Sequence, residues 1–143
     1  MVPEGVYLVE LITYDFKVRG DERGSLVAIE ENHDIPFAIR RVYYIFATGA
    51  GVSRGLHAHR DLRQVMVCIH GSCQVWLDDG KEKISVPLAS NSQGLLLDRM
   101  MWHEMYDFSP DCVLLVLASD FYDESDYIRD YGEFRQLAKN SAD

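Results

Sequence analysis

Gly51-Val52-Ser53-Arg54-Gly55-Leu56-His57-Ala58-His59-Arg60-Asp61-Leu62-Arg63-Gln64-Val65-Met66-Val67-Cys68-Ile69-His70-Gly71 is the stretch whose reading decides the fold. Its skeleton is Gly-x5-His-x-His-x4-Gln-x6-Gly. On an extended strand, residues i and i+2 point to the same side, so His57 and His59 place two imidazoles together on one face. The run from Gln64 to Ile69 is apolar and β-branched, and His70-Gly71-Ser72 behind it is a turn signal. A histidine pair on a strand, followed by a turn and a buried strand, predicts a site built on a β-sheet. It either holds a metal or moves a proton.

Outward from this stretch, short strand-like runs recur at Val6–Tyr14, Ser25–Ile29, Arg41–Ala47, Cys73–Leu77, Lys83–Pro87, Gly94–Leu97 and Val113–Ala118. Turn signals separate them, and Asp79-Gly80 between two such runs predicts a hairpin. No βαβ alternation, glycine-rich phosphate loop or internal repeat is present. The pattern therefore predicts an all-β sandwich or barrel. After an acidic start at Asp123, Glu124 and Asp126, the residues Tyr127, Ile128, Tyr131, Phe134, Leu137 and Ala138 follow helical spacing. One amphipathic C-terminal helix over about 124–139 is expected, its aromatic residues anchoring it to the β-structure.

The chain has 143 residues and 48% hydrophobic composition, which suits one domain over 1–143. A net charge of −9 argues against nucleic acid or an anionic membrane as a partner. An anionic small molecule stays open, because Arg40, Arg41, Arg54, Arg60 and Arg63 crowd around the histidines in sequence. Cys68, Cys73 and Cys112 are odd in number, lack CxxC spacing and sit in apolar runs, which predicts buried thiols in a reducing compartment. With no apolar run long enough to span a bilayer, a soluble cytoplasmic protein is expected. For His33 and His70, in turn-like contexts, an ordinary surface or core role is the plainer reading.

The Gly51–Gly71 skeleton resembles the first motif of the cupin superfamily over its full span, with Gln64 where that family carries a metal-binding glutamate. The resemblance implies a double-stranded β-helix, or jelly roll. A neutral amide is a weaker ligand for a divalent ion than a carboxylate, so the substitution points away from metal. The second motif departs too. Gly94 is present, but Met100 and Trp102 stand where proline and glycine are usual, and Met105 stands where a ligand histidine is expected. His103 comes two residues early, which on a strand keeps its facing, so it can reach the same cavity.

Further segments resemble the nucleotide-sugar 3,4-ketoisomerases: Arg23–Glu30, Ile35-Pro36-Phe37, Arg41–Phe46, Arg54–His59, Leu77–Gly80, Trp102–Met105, Leu117–Asp120 and Asp126–Arg129. That likeness implies a homodimer with exchanged N-terminal strands, about residues 1–20, and catalysis with no cofactor or metal. It implies a thymidine diphosphate (dTDP)-linked 4-keto-6-deoxyglucose as substrate, isomerised to the 3-keto sugar in deoxysugar biosynthesis. Periodicity alone does not distinguish exchange from a strand folded back on its own barrel.

Moving a ketone from C4 to C3 needs a base with a pKa near neutrality, which imidazole provides. His59 is expected to be the base and His57 its partner, an order that leans on the resemblance. Tyr43 or Tyr44, with Arg41, Gln64 and His103, are candidate donors to the developing oxyanion, and strand alternation turns only one of the tyrosines inward. Arg41 and Arg54 are the leading diphosphate ligands, because the guanidinium fork binds phosphate oxygens in pairs. Arg23 is a candidate sugar contact. Trp102 is a candidate for stacking on thymine, with a core role the plainer reading. Two other functions stay open: a metal-dependent cupin enzyme, such as a dioxygenase or metal-assisted isomerase, and a sugar-nucleotide binding module without catalysis.

Overall fold

The computed structural model describes residues 9–141, and strands form where the branched and aromatic runs lie. In chain order they are β1 (Thr13–Asp15), β2 (Val18–Asp21), β3 (Gly24–Val27), β4 (Arg41–Phe46), β5 (Arg54–His59), β6 (Gln64–His70), β7 (Cys73–Asp78), β8 (Lys83–Leu88), β9 (Gln93–Leu97), β10 (Trp102–Tyr106), β11 (Val113–Ala118) and β12 (Tyr127–Ile128), before helix α1 (Tyr131–Ser141). One antiparallel sheet has the order β1-β9-β6-β11-β4 and the other β12-β5-β10-β7-β8, while β2 and β3 form a separate hairpin. The expected all-β jelly roll with one C-terminal helix is thus what forms. The Asp79-Gly80 hairpin joins β7 to β8, with Asp78 opposite Lys83.

The core lies between the two sheets. Met66, Cys68, Leu95, Leu97, Leu114 and Val116 from the first meet Cys73, Val75, Leu77, Leu88 and Met105 from the second. The opposite face of the first sheet, at Val65, Val67, Leu96 and Leu117, is covered by Phe16, Ile35 and Phe37. Because both faces of β6 are buried, its sequence is a continuous apolar run rather than an alternating one. Gly94 allows this cover: a Cβ there would come within 2.9 Å of the Phe16 ring and 2.6 Å of Val65. All three cysteines are buried and free, as the sequence predicts. Among the described residues no helix is long and apolar enough to cross a membrane.

Residues 6–8 of the N-terminal run lie outside the described residues, and of the remainder β1 covers only the end, pairing with β9 within the chain. The C-terminal helix begins at Tyr131, not near 124. Glu124–Asp126 form a single 3-10 turn capped by Asp123, whose carboxylate accepts the Ser125 N–H, and Tyr127–Ile128 form a strand against β5. The helix is capped by Asp130, whose Oδ1 accepts the N–H of Gly132 at 2.8 Å and of Glu133 at 3.3 Å. The helical spacing of Tyr127 and Ile128 is coincidental, since strand pairing fixes them.

The helix docks through Phe134, which is fully buried with Ala58, Trp102 and Ile128. This cluster backs the strand that carries the histidines. Phe134→Ala removes the ring from a site with no solvent access, so a loss of about 3–5 kcal/mol in urea unfolding is expected; a loss under about 1 kcal/mol contradicts this docking.

Candidate active site

β5 supplies the histidines, and its path depends on Gly55. Opposite β10, His57 pairs with His103 but Gly55 pairs with Glu104, so Leu56 is an extra, bulged residue. Gly55 and Leu56 take φ of 83° and 62°. A Cβ on Gly55 would meet the His103 carbonyl at 2.9 Å, so only glycine lets the strands approach this closely. After the bulge the strand runs regularly, and His57, His59 and His103 share the inner face. The ring centroids of His57 lie 4.9 Å from His59 and 4.6 Å from His103. His103 therefore reaches the cavity as its spacing suggests, while Met105, next on that face, fills the core.

The facing wall comes from β4 and β6. Arg41 and Gln64 lie in one row across Ala118 of β11. Tyr43, two residues on, faces inward and donates its hydroxyl to Gln64 Oε1 at 2.7 Å. Burial pushes the Tyr43 phenol up to about 12, so it stays protonated at neutral pH. The Arg41 guanidinium lies 5.2 Å from the Tyr43 ring centroid and 5.7 Å from that of Tyr122. Tyr44 points the other way, out to solvent.

Arg54 is exposed at the start of β5, and neither Arg41 nor Arg54 has a carboxylate partner among the described residues. Arg60 and Arg129 are paired with Glu133 and Glu124. Arg63 donates to the Pro36 carbonyl at 3.3 Å. Arg23 lies on the exposed β2–β3 hairpin, paired with Asp21, and the chain does not bring it to the histidines. Trp102 alternates with His103, so it turns outward and packs against Tyr131 and Phe134; thymine stacking has no surface there. His33 and His70 are exposed, beside Asp34 and Asp111.

Two residues at the site lie in the family-like segment Asp126–Arg129 but are not among the expected site residues. Tyr127 pairs with His59 across β12 and β5, and its ring centroid lies 4.3 Å from that of His59 and 4.8 Å from that of His57. Asp126 Oδ2 lies 3.1 Å from His59 Nδ1. Helical periodicity assigned both to a helix. The available signal was the acidic cluster preceding them, which is too long for one cap. Arg41, His59, Leu62, Asp126 and Tyr127 line one hollow between the outer strand of the first sheet and the β5–β12 edge of the second.

The electrostatics keep the imidazoles neutral. Burial lowers His57 and drives His103 well below the usual range; burial and then His57 hold His59 down at about 4, against the pull of Asp126. Each Nδ1 faces an acceptor: the Gly55 carbonyl at 2.9 Å for His57, Asp126 for His59, and the Met101 carbonyl at 3.3 Å for His103. Three buried polar atoms are left without partners: His59 Nε2, Arg41 Nε and Gln64 Nε2. An unpaired buried group costs about 1–3 kcal/mol, so unpartnered atoms on Arg41 and His59, which line the same hollow, point to a polar ligand there.

A divalent ion fits these residues poorly. The Gln64 amide oxygen is occupied by the Tyr43 hydroxyl, which leaves its nitrogen, not an acceptor, unpartnered. Among the described residues, the group whose ligand atoms all lie within 4.8 Å of one another is Glu30, His33 and Asp34, in an exposed turn. The three inner histidines do not form such a group.

The fold is that of a cupin, with three inward histidines on its inner wall. The family model described as "FdtA: WxcM-like, C-terminal" matches residues 8–139, and the chain belongs to this family. It is 57% identical over 122 residues to the TDP-4-oxo-6-deoxy-alpha-D-glucose-3,4-oxoisomerase of Aneurinibacillus thermoaerophilus, spanning 85% of this chain and 88% of that protein. It also superposes on a 3,4-ketoisomerase from Helicobacter canadensis with a TM-score of 0.89 at 44% identity, covering 92% of this chain and 99% of that one. A variant of the 3,4-ketoisomerase QdtA from Thermoanaerobacterium thermosaccharolyticum, with one histidine replaced by asparagine and in complex with TDP-4-keto-6-deoxyglucose, gives 0.90 at 42% identity, covering 94% and 97%.

Neutral burial of the histidines has a consequence for stability. In the unfolded chain imidazole titrates near 6.5, and in the folded chain these groups titrate lower. As pH falls below about 6.5 the unfolded state takes up protons that the folded state refuses, so stability drops toward pH 4. The urea midpoint is expected to be lower at pH 5 than at pH 7; equal midpoints contradict neutral burial.

Proposed function

We propose that the chain converts dTDP-linked 4-keto-6-deoxyglucose to its 3-keto isomer, an intramolecular oxidation and reduction, with His59 as the carbon base. The observation that carries this is the unpartnered, buried Nε2 of His59 in a hollow that Arg41 also lines, with Arg41 Nε and, across Ala118, Gln64 Nε2 likewise unpartnered. That set offers one proton acceptor and two donors to a single small polar substrate. The Aneurinibacillus relative is named for this sugar, and the QdtA variant was captured with it.

The C4 carbonyl acidifies the C3 proton. His59 Nε2 takes that proton, C3 and C4 become the enediol carbons, and the negative charge collects on O4. Arg41 Nε and Gln64 Nε2 stabilise this charge, and Tyr43 holds the amide in place through its hydrogen bond to Oε1. The proton then returns to C4. The oxygens must also exchange a proton, O3 losing one and O4 gaining one. His57 suits this task, because its Nδ1 is tied to Gly55 and its ring lies beside His59. Arg54 and the outer nitrogens of Arg41 meet the diphosphate.

His59→Asn is expected to abolish turnover while TDP still binds, and Arg54→Ala to weaken TDP binding roughly tenfold with less effect on kcat. Calorimetry with TDP and an NMR assay of the keto sugar check both. Full activity in the histidine variant means another group is the base. Stoichiometric metal in the purified protein, with turnover lost on chelation, would establish the metal-dependent reading instead.

The proposed assembly is a homodimer. β4 is an edge strand whose outer face shows Val42, Tyr44 and Phe46, each more than half exposed, and an apolar edge of this kind is normally covered. Sedimentation equilibrium is expected to give twice the chain mass; a monomer at micromolar concentration contradicts it.

A further inference from the structure

The carboxylate of Asp126 is fixed from several directions. Oδ1 accepts the backbone N–H of Asp61 at 2.8 Å, and Oδ2 accepts the backbone N–H of Leu62 at 3.2 Å as well as facing His59 Nδ1 at 3.1 Å. Its main chain is held too: its N–H donates to the Asp123 carbonyl at 3.1 Å, and its carbonyl accepts the Arg60 N–H at 3.0 Å. The next residue, Tyr127, is in strand register with His59. Asp126 therefore cannot turn away from the ring without opening both the β5–β6 turn and β12.

A neutral imidazole carries one N–H, and the hydrogen bond offered to its other side decides which nitrogen has it. An ionised carboxylate only accepts. Facing Asp126, the His59 proton sits on Nδ1, and the lone pair sits on Nε2, the atom left unpartnered at the cavity. We propose that Asp126 is the positioning residue for the isomerisation: it fixes His59 in the tautomer able to accept a carbon-bound proton, and it balances the imidazolium that results. This rests on the isomerase reading of the site.

In the step, the C3–H bond breaks, its electron pair forms the C3–C4 double bond, the C4 carbonyl electrons move to O4, and the proton goes to Nε2. The ring then carries both N–H groups and a positive charge, and no proton passes on to Asp126. Burial, His57 and Arg41 all oppose that positive charge, whereas Asp126 favours it. The carboxylate thus supplies what the site otherwise withholds from its base.

Asparagine at 126 separates these roles from simple packing. It has the same shape but one acceptor atom, which cannot serve both the Asp61 N–H and the side facing His59 and Leu62. With its amide nitrogen toward the ring, Nδ1 becomes the acceptor and the proton moves to Nε2, which disables the base.

In wild type, 15N NMR of the imidazoles without substrate is expected to show the His59 proton on Nδ1. Asp126→Asn is expected to shift it to Nε2 and to lower kcat roughly 1,000-fold, with KM within about threefold of wild type. A wild-type His59 protonated on Nε2 overturns the proposal, as does an Asp126→Asn enzyme with kcat within about tenfold of wild type. If the variant fails to fold, the wild-type spectrum decides alone. A wild-type ring protonated on Nδ1 in a protein that does not isomerise the keto sugar defeats the isomerase reading while leaving the tautomer assignment standing.

Discussion

The site depends on the register of one six-residue strand, Arg54–His59. On one side β10 sets His57 opposite His103, and on the other β12 sets Tyr127 opposite His59. Because side chains alternate with a period of two, a one-residue slip would turn both histidines away from the cavity. The bulge at Leu56 and the bare Cα of Gly55 hold the register by letting β5 lie against the His103 carbonyl. Behind the strand, Ala58 faces Trp102, Ile128 and Phe134, so the helix that closes the chain supports the same residues from outside.

Burial and charge act against each other at this centre. Three imidazoles and an arginine share a small, water-poor space, and both desolvation and mutual repulsion favour the uncharged rings. A neutral ring is the form that accepts a proton, which suits the base proposed for His59. The arrangement also makes the protonated base costly, which is where Asp126 and an anionic substrate contribute in the opposite sense. The chain carries a net charge of −9, yet Arg41 and Arg54 are without carboxylate partners while Arg60 and Arg129 are paired with Glu133 and Glu124. Local placement, not net charge, decides what the cavity can attract.

Much of this was legible in the sequence because it follows from period-two alternation and turn chemistry. The pair His57 and His59, the turning inward of only one of Tyr43 and Tyr44, and the facing of His103 all come from alternation along strands. Gln64 was legible as a departure from a metal-binding pattern. Asp126 and Tyr127 lie in a segment that resembles the family, but their place beside His59 was not legible, since a two-residue strand is too short to leave a periodic trace and their spacing happens to match a helix. Trp102 and Arg23 show the other limit: aromatic or cationic character says what a side chain can bind, but tertiary packing decides whether it reaches the site. Trp102 went under the helix, and Arg23 went to a hairpin of its own.

The central claim is that His59 carries a proton from C3 to C4 through an enediol. Incubation with dTDP-4-keto-6-deoxyglucose in deuterated water, followed by proton NMR of the sugar, tests it most directly. The expected result is a 3-keto product, with deuterium at C4 and at C3 of the remaining substrate in the fraction of turnovers where the Nε2 proton exchanges with solvent before it returns to carbon, and neither isomerisation nor exchange with His59→Asn. Absence of both isomerisation and C3 exchange in the wild-type protein, or their persistence in His59→Asn, would contradict it.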